Sequence, residues 1–182
     1  MSGSAVVIGA SGGIGRALTQ RLVAEGGFEA VWAVSRSAAA VPGAQALAAD
    51  LEEEDSLAQA AARIAQGAAP TLVLVATGVL HDGFQPERSL RQLEAEHLLR
   101  DYRINTVGPA LVAKHLLPLL PRDRRAVFAA LSARVGSIGD NRLGGWYAYR
   151  ASKAALNMIL RNLAIETART HPLAVVAGLH PG

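Results

Sequence analysis

Short apolar runs alternate along this chain with longer segments in which apolar residues recur at helical spacing. The runs at 5–8, 30–35, 46–48, 72–76, 126–131 and 173–179 predict strands, and the segments 14–25, 56–66, 90–105, 110–120 and 149–167 predict helices. The run at 72–76 has no polar alternation, which is typical of a strand buried on both faces. The order of elements predicts one α/β domain over residues 1–182, with a doubly wound parallel sheet and helices on both faces.

Composition supports a folded domain and narrows its environment. Of the 182 residues, 51% are hydrophobic and 18% are charged, which excludes a disordered chain. No apolar run approaches the ~20 residues of a membrane span, and no basic segment with a long apolar stretch opens the chain. Cysteine is absent, so disulfides and thiolate metal sites are excluded. We therefore expect a cytoplasmic location and no membrane partner.

The small excess of basic over acidic residues does not indicate that the protein binds nucleic acid. The net charge is only +3, and the densest cluster, Arg122, Arg124 and Arg125, is interrupted by Asp123 and reads as a loop. The five histidines include no pair four residues apart, so no metal site is expected.

A glycine-rich turn follows the first predicted strand and opens the first helix. Glycines here allow a tight turn and a close approach to a pyrophosphate, and the first N–H groups of the helix would face that anion. An ordinary strand-to-helix turn is the alternative. The candidate dinucleotide-binding residues of this turn are Gly9, Ser11, Gly12, Gly13, Ile14 and Gly15.

The end of the second strand indicates which dinucleotide is preferred. Rossmann domains that bind NAD(H) carry an acidic residue about 20 positions beyond the glycines, whereas this chain has Ser35 and Arg36 there. A guanidinium can bond a 2′-phosphate bidentately, so NADP(H) is the expected cofactor, with NAD(H) possible. Arg36 as a solvated loop residue is the alternative.

Tyr149 and Lys153 lie four residues apart at the start of a predicted helix, so their side chains share one face. A nearby ammonium favours phenolate, and we expect Lys153 to lower the pKa of Tyr149. The phenol could then exchange a proton with a carbonyl or alcohol oxygen. Tyr147 is the rival phenol, but Ala151 stands four residues after it, so we expect Tyr147 to pack or to line the substrate site.

The GxxxGxG spacing of residues 9–15, together with Tyr149-x-x-x-Lys153, resembles the short-chain dehydrogenase/reductase family. Residues 136–153 are similar to its carbonyl-reductase branch, related to C-factor and sniffer. The resemblance implies a Rossmann-type fold and hydride transfer between nicotinamide and a small carbonyl or alcohol substrate. It also implies that the C-terminal part of the family domain is missing, because family members continue beyond a Pro-Gly like that at Pro181 and Gly182.

The resemblance assigns further residues. It places Asp50 at the adenine, followed by Leu51, and it implies that Lys153 also holds the nicotinamide ribose. Asn105 would hold a water in a proton relay to Lys153. Asp50 as a turn former and Asn105 as a helix-terminating residue before Gly108 are the alternatives. The remaining residues assigned to the cofactor are Ala76, Thr77, Gly78, Pro181 and Gly182.

The catalytic serine is less regular. The family carries Ser-Ser-x-x-Gly after the fifth strand, and alignment on Gly136 puts Ala133 at the usual serine position. We assign the role of polarising the carbonyl to Ser132, with Ser137 as the alternative.

An NADP(H)-dependent oxidoreductase is the leading hypothesis, and a cofactor-binding signalling or scaffold protein with little turnover is the second. The resemblance also implies a homodimer or homotetramer formed through the helices at 110–120 and 149–167. The residues at 151, 154, 155, 156 and 159 supply small and apolar surface for it, unless they face the sheet.

Overall fold

Six parallel strands form one sheet in the computed structural model, which describes residues 3–80 and 83–181. The strand order is β3-β2-β1-β4-β5-β6, the arrangement of a Rossmann-type doubly wound fold. The strands are β1 Ser4–Ile8, β2 Ala30–Ser35, β3 Gln45–Ala48, β4 Pro70–Val75, β5 Ala126–Leu131 and β6 Ala174–Leu179. The predicted fold class is confirmed.

Five α-helices cover the two faces in the described residues. They are α1 Gly13–Glu25, α2 Glu54–Ile64, α3 Ala95–Tyr102, α4 Gly108–Leu116 and α5 Tyr147–Thr170. A π turn, Arg103–Val107, joins α3 to α4, and short 3₁₀ turns lie at Leu90–Gln92, Leu117–Leu119 and Arg134–Gly136. None of the helices in the described ranges is long and apolar enough to cross a membrane.

The core lies on both sides of the central strands, and all five residues of β1 are buried. Val6 and Ile8 point into a large cluster that includes Phe128 and residues of α2, α4 and α5, whereas Val7 belongs to a smaller cluster packed against Leu22 of α1. Because successive side chains of a strand face opposite ways, a strand covered on both sides must be apolar throughout. This explains the unbroken apolar runs of the sequence.

Several predicted helix starts are wrong. Ser56 was expected to begin the second helix, but α2 begins at Glu54, and the Ser56 hydroxyl donates to the carbonyls of Asp50 and Glu53. The predicted helix at 90–105 begins only at Ala95, because Leu90–Gln92 forms a 3₁₀ turn and Leu93 is extended. The final helix begins at Tyr147 instead of Tyr149 and ends at Thr170.

Asn105 does not terminate a helix. The chain passes from α3 through the π turn Arg103–Val107 directly into α4, and Asn105 is fully buried within that turn. Pro109 lies in the first turn of α4 and has no N–H to donate back into the π turn. π turns of this kind are frequent at functional sites. The π turn around Asn105 therefore points to a functional site in this part of the fold.

Candidate active site

The glycine turn is built by close backbone contacts at the carboxyl end of β1. Gly9 has a φ of +87°, and its carbonyl accepts a hydrogen bond of 3.0 Å from the N–H of Gly12. A Cβ at Gly15 would lie 2.1 Å from the Gly9 carbonyl oxygen, so only glycine lets α1 pack this close to the strand. Gly12 caps α1 without a side-chain hydrogen bond, so the first N–H groups of the helix stay available to an anion.

A cleft of about 310 Å³ opens beside this turn, a volume at the lower end of the range of ligand pockets. It lies at the carboxyl ends of β1, β2 and β4. The order of the strands changes direction between β1 and β4, and α/β sheets bind ligands at such a topological switch point. The sequence-assigned residues that line it are Gly9, Ser11, Gly12, Ser35, Arg36, Asp50, Leu51, Ala76, Thr77 and Gly78.

Other assigned residues do not line the cleft. Tyr149 and Lys153 lie beyond it, and Pro181 is exposed at the end of the described chain. Gly182 lies outside the described residues. The three remaining residues of the turn, Gly13, Ile14 and Gly15, form the start of α1, where Gly13 and Ile14 are exposed and Gly15 is buried.

Two charged residues of the cleft were missed by the sequence reasoning. Glu52 and Arg100 both line it, and their side chains form an ion pair of 3.4 Å. Arg103 approaches the same carboxylate at 3.5 Å. Glu52 could have been considered because it follows Asp50 and Leu51, but nothing in the helical pattern of α3 distinguishes Arg100 from an ordinary solvated arginine.

Lys153 adjoins both the wall of the cleft and Tyr149. Its side chain is buried, and its Nζ donates a hydrogen bond of 2.8 Å to the carbonyl of Leu131 at the end of β5. A Cβ at Gly78 would lie 3.3 Å from this Nζ, so Lys153 adjoins a residue of the cleft wall. The Nζ lies over the ring of Tyr149, 5.7 Å from its centre. Both groups therefore stand at the same edge of the sheet as the glycine turn.

Asn105 ties this region together. Its side-chain carbonyl accepts the N–H of Val79 at 2.8 Å, and its amide donates to the Val79 carbonyl at 2.9 Å and to the Ser152 hydroxyl at 3.1 Å. The side chain thus bridges the loop after β4 and helix α5. This bridge lies beside Gly78, where a Cβ would be 3.2 Å from the Asn105 oxygen.

Ser132 lies at the end of β5, and its hydroxyl donates a hydrogen bond of 2.6 Å to the side-chain carbonyl of Asn157. Asn157 was missed by the sequence reasoning, although the i, i+4 spacing of Tyr149 and Lys153 continues to it. Ser137, the alternative serine, accepts an N–H from Asp140 at 3.3 Å in the following loop. Ser132 is therefore the serine that the structure connects to the helix of Tyr149 and Lys153.

The electrostatics differ from the expectation for Tyr149. Burial, and to a smaller extent the charge of Asp101, raise the pKa of Tyr149 above its ordinary 10.0, so the predicted lowering by Lys153 is wrong. The ammonium lies over the ring face. Burial also lowers the pKa of Lys153 to about 8, against the opposing charge of Asp101. Both shifts follow from removing a charge from water.

Asp101, on α3, is a buried acid that the sequence pattern did not indicate. It is 1% exposed, and its Oδ1 has no hydrogen-bond partner among the described residues. Burial raises its pKa to about 6, and the nearby Glu87 adds to the rise. Its burial depends on the packing of α3 against α5, which no local pattern reveals. Within the described residues, no group of three His, Asp or Glu side chains is placed to hold a metal ion.

The strand order, the glycine turn and the pair of Tyr149 with the buried Lys153 define a Rossmann-type domain with the elements of an oxidoreductase. The family model of short chain dehydrogenases matches residues 4–182. The chain therefore belongs to the short-chain dehydrogenase/reductase family of oxidoreductases, and the predicted resemblance to its C-factor and sniffer branch is confirmed.

Individual relatives agree with this placement. C-signal from Myxococcus xanthus is 36% identical over 94 residues, which make up 52% of this chain and 55% of C-signal. The matches to the first three curated relatives span 55%, 38% and 31% of their lengths, so the chain corresponds to about half of those proteins or less.

Two solved structures superpose over almost the whole chain. Sniffer of Caenorhabditis elegans is 27% identical with a TM-score of 0.85, and the match covers 100% of this chain and 86% of that one. An NADPH-bound carbonyl reductase from chicken fatty liver is 25% identical with a TM-score of 0.83, and the match covers 98% and 75%.

The two helical glycines of the turn should respond oppositely to a methyl group. Gly15→Ala brings a Cβ into the Gly9 carbonyl and should destabilise the protein by about 1–3 kcal/mol, as overpacking does. Gly13→Ala, the matched control, meets nothing within 4 Å and should leave stability unchanged or raise it by up to about 1 kcal/mol, since alanine suits a helix better. Urea unfolding measures both, and equal losses would contradict the close approach at Gly15.

Asp101 should make stability depend on pH. Because its pKa is about 6 in the folded chain and near 3.8 when unfolded, the folded state binds more protons between these values. Its contribution to stability is therefore largest below pH 4 and is lost as the pH rises through 6. Asp101→Asn cannot ionise, so its free energy of unfolding does not fall in this way as the pH rises. The difference in free energy of unfolding between the variant and the unsubstituted protein should therefore favour the variant more at pH 7 than at pH 4. Denaturant unfolding at both pH values checks this, with the exposed Asp123→Asn as control; no difference between the two pH values would contradict the assignment.

Proposed function

We propose that this protein is an NADP(H)-dependent oxidoreductase that acts on a small carbonyl or alcohol substrate. The observation that carries the proposal is the continuity of the site. Gly78 forms part of the wall of the cleft beside the glycine turn, and Lys153 and Asn105 lie directly behind it. A dinucleotide with its phosphates at the start of α1 would thus lead toward Tyr149.

The residues of the cleft fit such a cofactor. The uncapped start of α1 and the absence of a Cβ at Gly15 form the cradle that a pyrophosphate requires. Ser35 and Arg36 lie at one end of the cleft, where a guanidinium suits a 2′-phosphate, and a relative of 25% identity is described as NADPH-bound. When bound, the nicotinamide supplies or accepts a hydride. NAD(H) stays an alternative.

Tyr149 serves as the proton donor in the direction of reduction. Its phenol is protonated at neutral pH and so has a proton to give to a carbonyl oxygen, although the rise in its pKa on burial makes that proton harder to remove than that of an exposed tyrosine. Lys153 places a positive charge over the ring and, with its pKa near 8, holds that charge at neutral pH. Ser132 polarises the carbonyl once its O–H, which donates to Asn157 here, turns to the substrate, and Asn105 supports a water in the proton relay to Lys153 while it links α5 to the cleft wall.

A signalling or scaffold role without significant turnover is the second candidate. The observation that favours it is the 36% identity to C-signal over 94 residues.

Assembly as a homodimer or homotetramer through α4 and α5 is likewise proposed from family resemblance. Leu156 of α5 faces the core, whereas Met158 and Ile165 are 62% and 44% exposed and offer apolar surface for a second subunit. The cytoplasmic location stays a prediction of the sequence.

Tyr149→Phe removes the proton donor and should reduce carbonyl turnover about 10²-fold or more while cofactor binding persists. NADPH consumption with a panel of aldehydes and ketones measures turnover, and fluorescence titration measures binding. Tyr147→Phe is the matched control and should stay within a few-fold of the unsubstituted protein. Tight NADPH binding with no turnover on any substrate would favour the scaffold role, and full activity of Tyr149→Phe would remove Tyr149 from catalysis.

Arg36→Ala should discriminate between the two cofactors. Charge-assisted bonds to a 2′-phosphate are each worth about 1.5–3 kcal/mol, so the dissociation constant for NADPH should rise about 10- to 100-fold. NADH lacks the phosphate, and its binding should change less than about twofold. Arg63→Ala, on the exposed surface of α2, is the control for loss of an arginine. An equal loss for both cofactors would refute the assignment of Arg36.

A further inference from the structure

Helix α5 carries Tyr149 and Lys153 but lacks a cap of its own. Trp146, the residue before the helix, has a left-handed backbone with φ 51° and makes no side-chain cap hydrogen bond. Tryptophan is not among the residues that favour this position. The first N–H groups of α5 therefore need acceptors from elsewhere in the fold.

Glu87, from the loop that follows β4, supplies those acceptors. Its backbone carbonyl accepts the N–H of Trp146 at 2.5 Å, and its side-chain Oε2 accepts the N–H of Ala148 at 3.3 Å. The two residues joined by the side-chain bond are 61 positions apart in the chain. Glu87 is 2% exposed, and a carboxyl so deeply buried ordinarily requires partners of this kind.

The opposite side of Glu87 faces α3. Its Oε1 and the Nδ1 of His97 are 3.9 Å apart, and neither atom has a hydrogen-bond partner in the described part of the chain. The His97 ring is stacked on Phe84 at 3.7 Å, which holds it in place. Asp101 lies close enough to Glu87 for the two charges to interact. Glu87 is thus clamped between α3 and the start of α5.

We infer that Glu87 is a positioning residue for the proposed oxidoreductase reaction, and that it holds Tyr149 in place by fixing the first turn of α5. Tyr149 directly follows Ala148, whose N–H Glu87 accepts, so any opening of this turn displaces the phenol. Lys153 lies one turn further on and has its own anchor at the Leu131 carbonyl. Loss of the Glu87 bond should therefore disturb the proton donor more than the cofactor cleft. The inference rests on the proposed function.

Three variants separate the acceptor from the bulk of the side chain. Glu87→Ala removes the acceptor, Glu87→Gln retains a side-chain oxygen that can accept the same N–H, and Glu94→Ala is the matched control. Glu94 approaches the same histidine at 3.8 Å, but its side chain is 68% exposed and it makes no described contact with α5. Activity is measured well below the unfolding midpoint of each variant, with folding checked by circular dichroism.

For Glu87→Ala we expect a kcat about 10- to 100-fold lower, as small misplacements of catalytic groups produce, with the dissociation constant for NADPH within about twofold. Glu87→Gln should restore most of kcat, and Glu94→Ala should leave kcat unchanged. Hydrogen exchange at the amides of Ala148 and Tyr149 should accelerate in Glu87→Ala and return toward normal in Glu87→Gln.

Other outcomes would overturn the inference. A kcat within twofold of normal in folded Glu87→Ala would show that the cap does not position Tyr149. Equal impairment in Glu87→Gln would show that the hydrogen bond is not the cause. If the unsubstituted protein binds NADPH but transfers no hydride, the proposed function fails, and the positioning role of Glu87 fails with it. Unchanged amide exchange in Glu87→Ala overturns the cap regardless of activity.

Discussion

The burial of the Lys153 ammonium is the constraint on which the rest of the site depends. A lysine is almost never fully buried unless its charge has partners. Lys153 has the Leu131 carbonyl at 2.8 Å, the ring of Tyr149, and the opposing charge of Asp101. These partners come from β5, α5 and α3, so placing one ammonium requires three elements to meet at one edge of the sheet.

Two glycines make that meeting possible. A Cβ at Gly78 would lie 3.3 Å from the Lys153 Nζ, and a Cβ at Gly136 would lie 2.8 Å from the Lys153 backbone. A side chain at Gly136 would push the backbone of α5 away, whereas one at Gly78 would displace the Lys153 ammonium and the Asn105 side chain by a few tenths of an ångström. The absence of two methyl groups therefore governs how closely Tyr149 and Lys153 approach the wall of the cleft.

Hydrogen bonds between side chains and backbone then fasten α5 to its neighbours. Asn105 holds Val79 and Ser152, and Thr106 donates from its hydroxyl to the Ser152 carbonyl at 2.8 Å. Both residues belong to the π turn, where the pattern of helical backbone hydrogen bonds is irregular and side chains can reach neighbouring elements. The same helix receives Glu87 at its start, so α5 is held from the loop after β4 and from the turn between α3 and α4.

How much of this architecture the sequence predicted depends on how local the cause is. The strand runs, the glycine turn and the spacing of Tyr149 and Lys153 are set by side-chain period and backbone freedom, which neighbouring residues determine. They were sufficient for the fold class, the family and the location of the cleft. Helix boundaries were less accurate: the starts of α2, α3 and α5 depend on hydrogen bonds and turns such as those around Ser56, Leu93 and Glu87.

The remaining features required the tertiary structure. Several of them join residues that are distant in the chain: Glu52 with Arg100, Ser132 with Asn157, and Glu87 with the start of α5. The burial of Asp101 likewise comes from packing between elements that are distant in the chain. The pKa of Tyr149 is the sharpest example, since one-turn spacing predicted a lowering by Lys153, whereas burial raises it. A charge interaction can be anticipated from neighbours in the chain, but the loss of water around a group is decided only when the whole molecule packs around it.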